Sequence, residues 1–304
     1  MGATVWPITE EFAAEIGDID LSEPLTNDDW ATIHEAYDHY SVLIFPGQNL
    51  EHDQHAAFAQ RFGPIDPSMV VDIESAPIRI PTDIADVSNL TADNQIMADG
   101  DRMLEFQRGN RLWHTDSSFK TIPANASLLY IRSIPPVGGL TEFADMRAAF
   151  DALDDATRKH IEGRIAYHSI ANSRARLGFE MTEAEKTTYP NIPQAMVRTR
   201  RSDGKKSLYI ASHIGDIEGL TRDEAEALTE RLLNFATQRQ FVYTHRWRED
   251  DLVIWDNRCT LHRGRPFDDL RWPRDARRAT SLDIANTCEQ EGLTPVGQPA
   301  ASAG

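Results

Sequence analysis

Between residues 111 and 284 the sequence returns repeatedly to short apolar runs bounded by Gly, Pro, Asn and Asp, which is the pattern of strands. Strand-like runs are read at 111–119, 126–133, 164–170, 195–200, 207–213, 240–247, 251–256 and 278–284. A further buried strand, 41–45, is ended by Pro46 and Gly47. Helical spacing is confined to 27–40, 51–63, 145–162 and 221–238. The first helix opens on a capping Asn or Asp, and the second closes at Gly63. Many short strands with helices grouped outside them predict a β-rich α+β fold, a sandwich or jelly-roll barrel with flanking helices. No linker divides the chain, so a single domain is expected over residues 1–290. The small, polar, Pro/Gly-rich stretch 291–304 is expected to be a disordered tail. Residues 64–110 are irregular and rich in Pro, Asp and Asn, and loops of that length in a compact domain commonly act as lids.

Charge and composition narrow the partners. A formal charge of −17 argues against nucleic acid, because phosphate binding needs a basic footprint. A small anion needs only a few local arginines. No stretch approaches the ~18 consecutive apolar residues of a transmembrane helix, so no membrane partner is expected. The N-terminus lacks a basic region followed by an apolar run, so no secretory signal is read. Cys259 and Cys288 are too few for a disulfide framework, which places the expected home in a reducing cytoplasm.

Within "GNRLWHTDSSFK", His114 and Asp116 stand two positions apart in one of the strand-like runs. Alternate residues of a strand share a face, so imidazole and carboxylate are expected to project together. Two histidines and one carboxylate on one face of an octahedron, with three positions open, are the ligand set of non-heme Fe(II) oxygenases. His262 is the candidate third ligand, since it follows the buried run "DLVIWDNRCTL" and precedes a dense arginine cluster. His34, His39, His52 and His55 fall in the N-terminal helices and read as surface residues. Asp256 and Asn257 read as fixing the turn before His262, and Cys259 as a small buried filler.

The motifs "LWHTDSSF", "PPVGGLTEFADMRAAFDAL", "FVYTHRWREDDLVIWDNRCTLHRGRPFDD" and "RDARRATSLD" together resemble the Fe(II)/2-oxoglutarate-dependent dioxygenases of the taurine dioxygenase and 2,4-dichlorophenoxyacetate dioxygenase family. "NSRARLG" and "SHIGDIEGL" add a likeness to the aryloxyacetate branch. The resemblance covers roughly residues 15 to 285 and implies a double-stranded β-helix, the jelly roll of that family. It places the iron ligands on His114, Asp116 and His262, and an Asp at position 116 favours hydroxylation over halogenation. It places the distal carboxylate of the cosubstrate 2-oxoglutarate on Arg274 and the Thr141 hydroxyl, a carboxylate being matched bidentately by a guanidinium. Arg278 and Asn110 are implied as contacts of the substrate, a small anionic organic molecule, and His213, at the end of a strand-like run, reads either as lining the same pocket or as a structural histidine.

The implied reaction consumes O₂ and gives succinate and CO₂ while a substrate carbon is hydroxylated. An aryloxyalkanoate such as 2,4-dichlorophenoxyacetate would undergo ether cleavage. A taurine or alkylsulfonate substrate, or an amino-acid-derived secondary metabolite, is the alternative within the family. A zinc-dependent hydrolase using the same three ligands, or a non-catalytic binding protein, is the alternative outside it. In the herbicide-degrading relatives a lysine on the 64–110 segment is implied beside the substrate carboxylate. This chain has no lysine before Lys120, and its cations near the segment are Arg79, Arg102, Arg108, Arg111 and Arg278. A homo-oligomer, dimer or tetramer, is the implied assembly.

Overall fold

Two facing sheets, each covered on its outer side by helices, hold the functional groups between them in this computed structural model, which describes residues 2–67 and 78–296. The larger sheet has seven strands in the spatial order Thr4–Pro7, Ala13–Gly17, Val42–Phe45, Leu252–Asp256, Ala124–Ser133, Asp275–Leu282 and Ala85–Asp86. Its pairs are antiparallel except Ala13–Gly17 against Val42–Phe45. The smaller sheet places Thr141–Asp145 between Val242–His245 and Thr260–Gly264. A three-stranded sheet (Ile214–Ile217, Ile165–His168, Ile192–Ala195) and a hairpin-like pair (Val197–Thr199 with Lys206–Leu208) complete the mixed α+β architecture.

Period-two alternation makes one strand serve two cores. Leu252 and Ile254 pack outward with Leu43 and Phe45 against helices Asn27–Tyr40 and His52–Ala59. Val253 and Trp255 point inward with Val42, Ile44 and Leu129, where they meet Phe143 of the smaller sheet. On the far side of that sheet Ala144 and Leu261 pack with Leu228 and Leu232 of helix Arg222–Ala236. Ser127 and Arg278 share the inward face of the large sheet with Leu129 and Ala276. Helix Asn27–Tyr40 starts where its spacing predicts, although the cap is Thr26, in a capping box with Asp29.

Several readings need correction. The run 111–119 is not a strand: Gly109–Arg111 form a 3₁₀ turn, and His114 makes only an isolated bridge before the chain turns at Ser117 with φ 53°. The predicted helix 145–162 is two helices, Met146–Asp151 and Asp155–Ile161, because the Asp154 side chain caps a new start at Thr157 N. His262 follows the buried strand Leu252–Asp256 and the turn at 257–259, as expected, and lies within the next strand, Thr260–Gly264. Gly63 ends the second helical segment as expected, at φ 147°, and a Cβ there would stand 2.6 Å from the Leu282 carbonyl oxygen. Of the lid segment, residues 68–77 lie outside the described residues; 78–101 carry only the short strand Ala85–Asp86, and Arg102–Arg108 is a helix. Most of the tail, 297–304, also lies outside the described residues.

Candidate metal centre and active site

His114 and His262 exchange both backbone hydrogen bonds, His114 N donating to His262 O at 3.0 Å and His262 N to His114 O at 2.8 Å. That bridge brings the imidazole centroids to 4.1 Å. Asp116 faces both rings, its Oδ1 3.9 Å from His114 Nε2 and its Oδ2 3.6 Å from His262 Nε2. Strand alternation does not deliver this convergence. A bend does, held by Asn257: its Oδ1 accepts from Asp116 N and Trp255 Nε1 at 3.0 Å each, and its Nδ2 donates to Ser127 Oγ at 2.9 Å. Thr115 Oγ1 donates to the Asn257 carbonyl at 2.8 Å. The Ser117 backbone, in the left-handed region that disfavours a side chain, is tied by Ser117 Oγ to Asp66 Oδ2 at 2.6 Å.

All three residues are at most 5% exposed, and their charge states follow from what surrounds them. Burial pushes the Asp116 carboxyl up, but Arg278, His262, His114 and the Ser127 hydroxyl together hold it at about 2. Arg278 Nη1 donates to Oδ1 at 2.6 Å, and Ser127 Oγ to Oδ2 at 2.7 Å. Burial drives His114 down to about 4 against the pull of Asp116, and drives His262 well below its ordinary value. Both imidazoles are therefore neutral and the carboxylate ionised near pH 7, the forms that bind metal. His114 Nδ1–H donates to Leu112 O at 2.7 Å, which leaves Nε2 as the ligand atom.

One donor atom from each residue lies within 4.8 Å of the other two. The carboxylate–imidazole gaps are too long for hydrogen bonds, but donors each about 2.1 Å from one ion stand up to ~4.2 Å apart. His262 Nδ1 is buried without a hydrogen-bond partner among the described residues. The donor set fits a transition-metal dication.

The remaining predicted residues lie around this centre. The Thr141 hydroxyl accepts from Trp247 Nε1 at 2.9 Å, which leaves its own proton to give. Arg274 is pulled down to about 10 by burial and has no carboxylate partner among the described residues; its Nη1 donates only to Val87 O at 3.4 Å. Arg274 and Asn110 line one cavity, with Asn89, Leu104, Gly139 and Gly264. His213 is buried, its ring 5.8 Å from His114 and edge-on to Phe119 at 5.1 Å, with Nδ1 2.9 Å from Ser118 Oγ. Burial pushes it well below its ordinary value, first by desolvation and then by neighbouring His114 and Arg174.

Four of the candidate cations are engaged elsewhere. Arg79 pairs with Asp86 and Asp275, Arg102 with Glu185, Arg108 with Glu105 and Asp269, and Arg111 with Asp269. Lys120 is held by Asp66. Contrary to the surface reading, His55 is buried and bonded to the Leu128 carbonyl. Sequence reasoning passed over Arg174, whose guanidinium lies over the Phe106 ring at 4.4 Å. Its motif "NSRARLG" was visible, but nothing local marks that arginine as buried.

Two imidazoles and a carboxylate gathered on one side of an open coordination sphere define a mononuclear non-heme iron oxygenase centre. The chain belongs to the taurine catabolism dioxygenase TauD, TfdA family, whose model matches residues 4–280, and is a 2-oxoglutarate-dependent dioxygenase of that family. It is 42% identical over 287 residues to the alpha-ketoglutarate-dependent 2,4-dichlorophenoxyacetate dioxygenase of Cupriavidus pinatubonensis, covering 94% of this chain and 99% of the relative. The (S)-phenoxypropionate/alpha-ketoglutarate-dioxygenase of Sphingobium herbicidovorans is 35% identical over 272 residues, covering 86% of this chain and 89% of its own. The crystal structure of AAD-2 in complex with Mn(II) and N-oxalylglycine superposes with a TM-score of 0.90 at 41% identity, over 94% of this chain and 100% of that one.

Proposed function

We propose that the protein oxidises an aryloxyalkanoate, hydroxylating the carbon that bears the ether oxygen so that the hemiacetal collapses to a phenol and an oxoacid. The reading is supported by an ordered His114–Asp116–His262 centre in a chain 42% identical, end to end, to a 2,4-dichlorophenoxyacetate dioxygenase. Ferrous ion and 2-oxoglutarate, when bound, supply the activation of O₂ that is coupled to release of succinate and CO₂. In this reading the two facing sheets are a double-stranded β-helix within one domain spanning residues 1–290.

Each residue then has a task. Arg274 and the Thr141 hydroxyl take the distal carboxylate of 2-oxoglutarate, since a cavity-lining guanidinium with no carboxylate among the described residues and a hydroxyl with a proton to give suit an anion. Arg278 and Ser127 fix both oxygens of Asp116, so the metal face does not rotate. Asn110, His213 and the outer edge of Arg278 border the substrate. The Phe119 ring, edge-on to His213, gives an aryl group an apolar wall near the reacting carbon. Orienting that carbon and excluding water are the protein's contribution to the rate.

The test is aerobic turnover of 2,4-dichlorophenoxyacetate with ferrous ion and 2-oxoglutarate. 2,4-Dichlorophenol, glyoxylate and succinate should appear in equal amounts. Succinate release driven by taurine and by no aryloxyalkanoate would move the protein to the sulfonate branch.

A further inference from the structure

One more guanidinium, buried behind Asn110, has no carboxylate partner among the described residues. Arg174, on helix Ile170–Ala175, is 3% exposed. Its face lies over the Phe106 ring, and it packs so closely on Gly109 that a Cβ at that position has no room. Its polar partners are neutral: Nη1 donates to Ser173 Oγ at 3.2 Å and Nη2 to Asn110 Oδ1 at 3.3 Å. Nε is buried and has no hydrogen-bond partner among the described residues. The buried arginines Arg147 and Arg198 each hold a carboxylate, Asp145 and Asp283 respectively. A buried charge without a counter-ion is costly, and burial together with Arg278 pulls Arg174 down to about 9, against the attraction of Asp116. Asp116 itself is already answered by Arg278 at 2.6 Å. Asn110, which accepts from Arg174 Nη2, lines the cavity that Arg274 also lines, so the Arg174 guanidinium lies directly behind that cavity's wall.

We propose that Arg174 binds the carboxylate of the organic substrate and so selects aryloxyalkanoate anions over neutral aryl ethers. The inference rests on the aryloxyalkanoate reading above. Two anionic groups must be received, the distal carboxylate of 2-oxoglutarate and that of the substrate. Two guanidiniums at this cavity, Arg274 and Arg174, have no carboxylate among the described residues. The free Nε–H and the Nη2 now turned to a neutral amide oxygen form the edge on which a carboxylate docks bidentately. Phe106 and Gly109 hold that edge still, so little side-chain freedom is lost on binding.

The experiment compares 2,4-dichlorophenoxyacetate with its neutral counterpart 2,4-dichlorophenoxyethanol in wild type, Arg174→Gln and Arg174→Lys, each loaded with ferrous ion and 2-oxoglutarate. Phenol and succinate are followed together. In Arg174→Gln the KM for the acid should rise by about 30-fold or more, the lower end for truncating one partner of a buried charge pair. The preference for acid over alcohol should collapse, Arg174→Lys should recover part of it, and the KM for 2-oxoglutarate should move by less than about 3-fold. An acid-to-alcohol preference in Arg174→Gln equal to that of wild type overturns the inference and leaves the function standing. Wild type that releases phenol from no aryloxyalkanoate overturns both. If Arg174→Gln does not fold by circular dichroism, Arg174→Lys decides: a preference unchanged from wild type overturns the inference, and a fall of about 3-fold or more supports it.

Discussion

His114 and His262 are joined through their backbones before any metal is considered, each amide donating to the other's carbonyl at 3.0 and 2.8 Å. The two ligands from distant parts of the chain are therefore positioned by main-chain bonds that a side-chain change does not remove. His262→Ala should yield a folded apo-protein with iron-dependent 2-oxoglutarate turnover below detection. Asp116→Ala should lose turnover as well, and it also strands Arg278 without its partner, so a fall in stability of roughly 3–5 kcal/mol is expected from the uncompensated charge. Thermal melts and succinate release on the same preparations check both statements, and turnover retained by either variant would remove that residue from the ligand set.

Arg274→Ala should raise the KM for 2-oxoglutarate by tens-fold, since losing one member of a buried charge pair costs about 2–5 kcal/mol. The KM for the organic substrate should move much less, because Arg274 is separated from Arg174 and Arg278 in role. Steady-state kinetics with each substrate varied in turn make the distinction. An unchanged 2-oxoglutarate KM would pass the anchoring role to another arginine.

How far these residues were legible in the sequence depended on whether their environment is local. Helix Asn27–Tyr40 and strands Val42–Phe45 and Leu252–Asp256 carry their burial in their own periodicity, and they were read within a residue or so. The ligand identities were legible because the motifs around them are long. The reason they converge was not: the backbone at 112–118 bonds to the His262 backbone and the Asn257 side chain, partners more than a hundred residues away, so its strand-like pattern was misleading. Strand Thr141–Asp145 hides in a Gly-rich turn and a helix start, and was missed. Arg174 is buried only because Phe106 and Gly109 close over it, and nothing within its own helix says so.

Asn257 joins Asp116 N, Trp255 Nε1, the Thr115 hydroxyl and Ser127 Oγ, and Ser127 in turn holds the ligand oxygen of Asp116. Asn257→Ala leaves the Asp116 amide and the Trp255 indole unsatisfied in the core, at about 1–3 kcal/mol for each buried group left without a partner. The variant should melt several degrees lower and bind iron about 10–100-fold more weakly, the usual effect of losing the support of a metal ligand. Metal titration and thermal melts read the two effects separately. Iron affinity equal to wild type would show that Ser127 and Arg278 suffice to hold the carboxylate.

Buried neutral histidines should make the apo-protein acid-sensitive. Desolvation holds His55 at about 4 and His168 at about 3, both below the ~6.5 of an unfolded chain. As pH falls below ~6.5 the unfolded state takes up these protons and the folded state does not, so stability is full above ~6.5 and falls toward pH 4. Each such histidine contributes a slope of about 1.4 kcal/mol per pH unit inside that window. His55 tests this away from the metal, since its Nε2–H donates to the Leu128 carbonyl at 2.9 Å and a glutamine offers a comparable N–H. Urea denaturation of apo wild type and His55→Gln at pH 6.0 and 5.0 should show the variant losing less stability over that interval, by about one proton's worth. Identical losses would mean that the His55 imidazole is already protonated in the folded protein at pH 5, and the carbonyl contact, which a protonated ring also makes, would then be the stronger influence on it than burial.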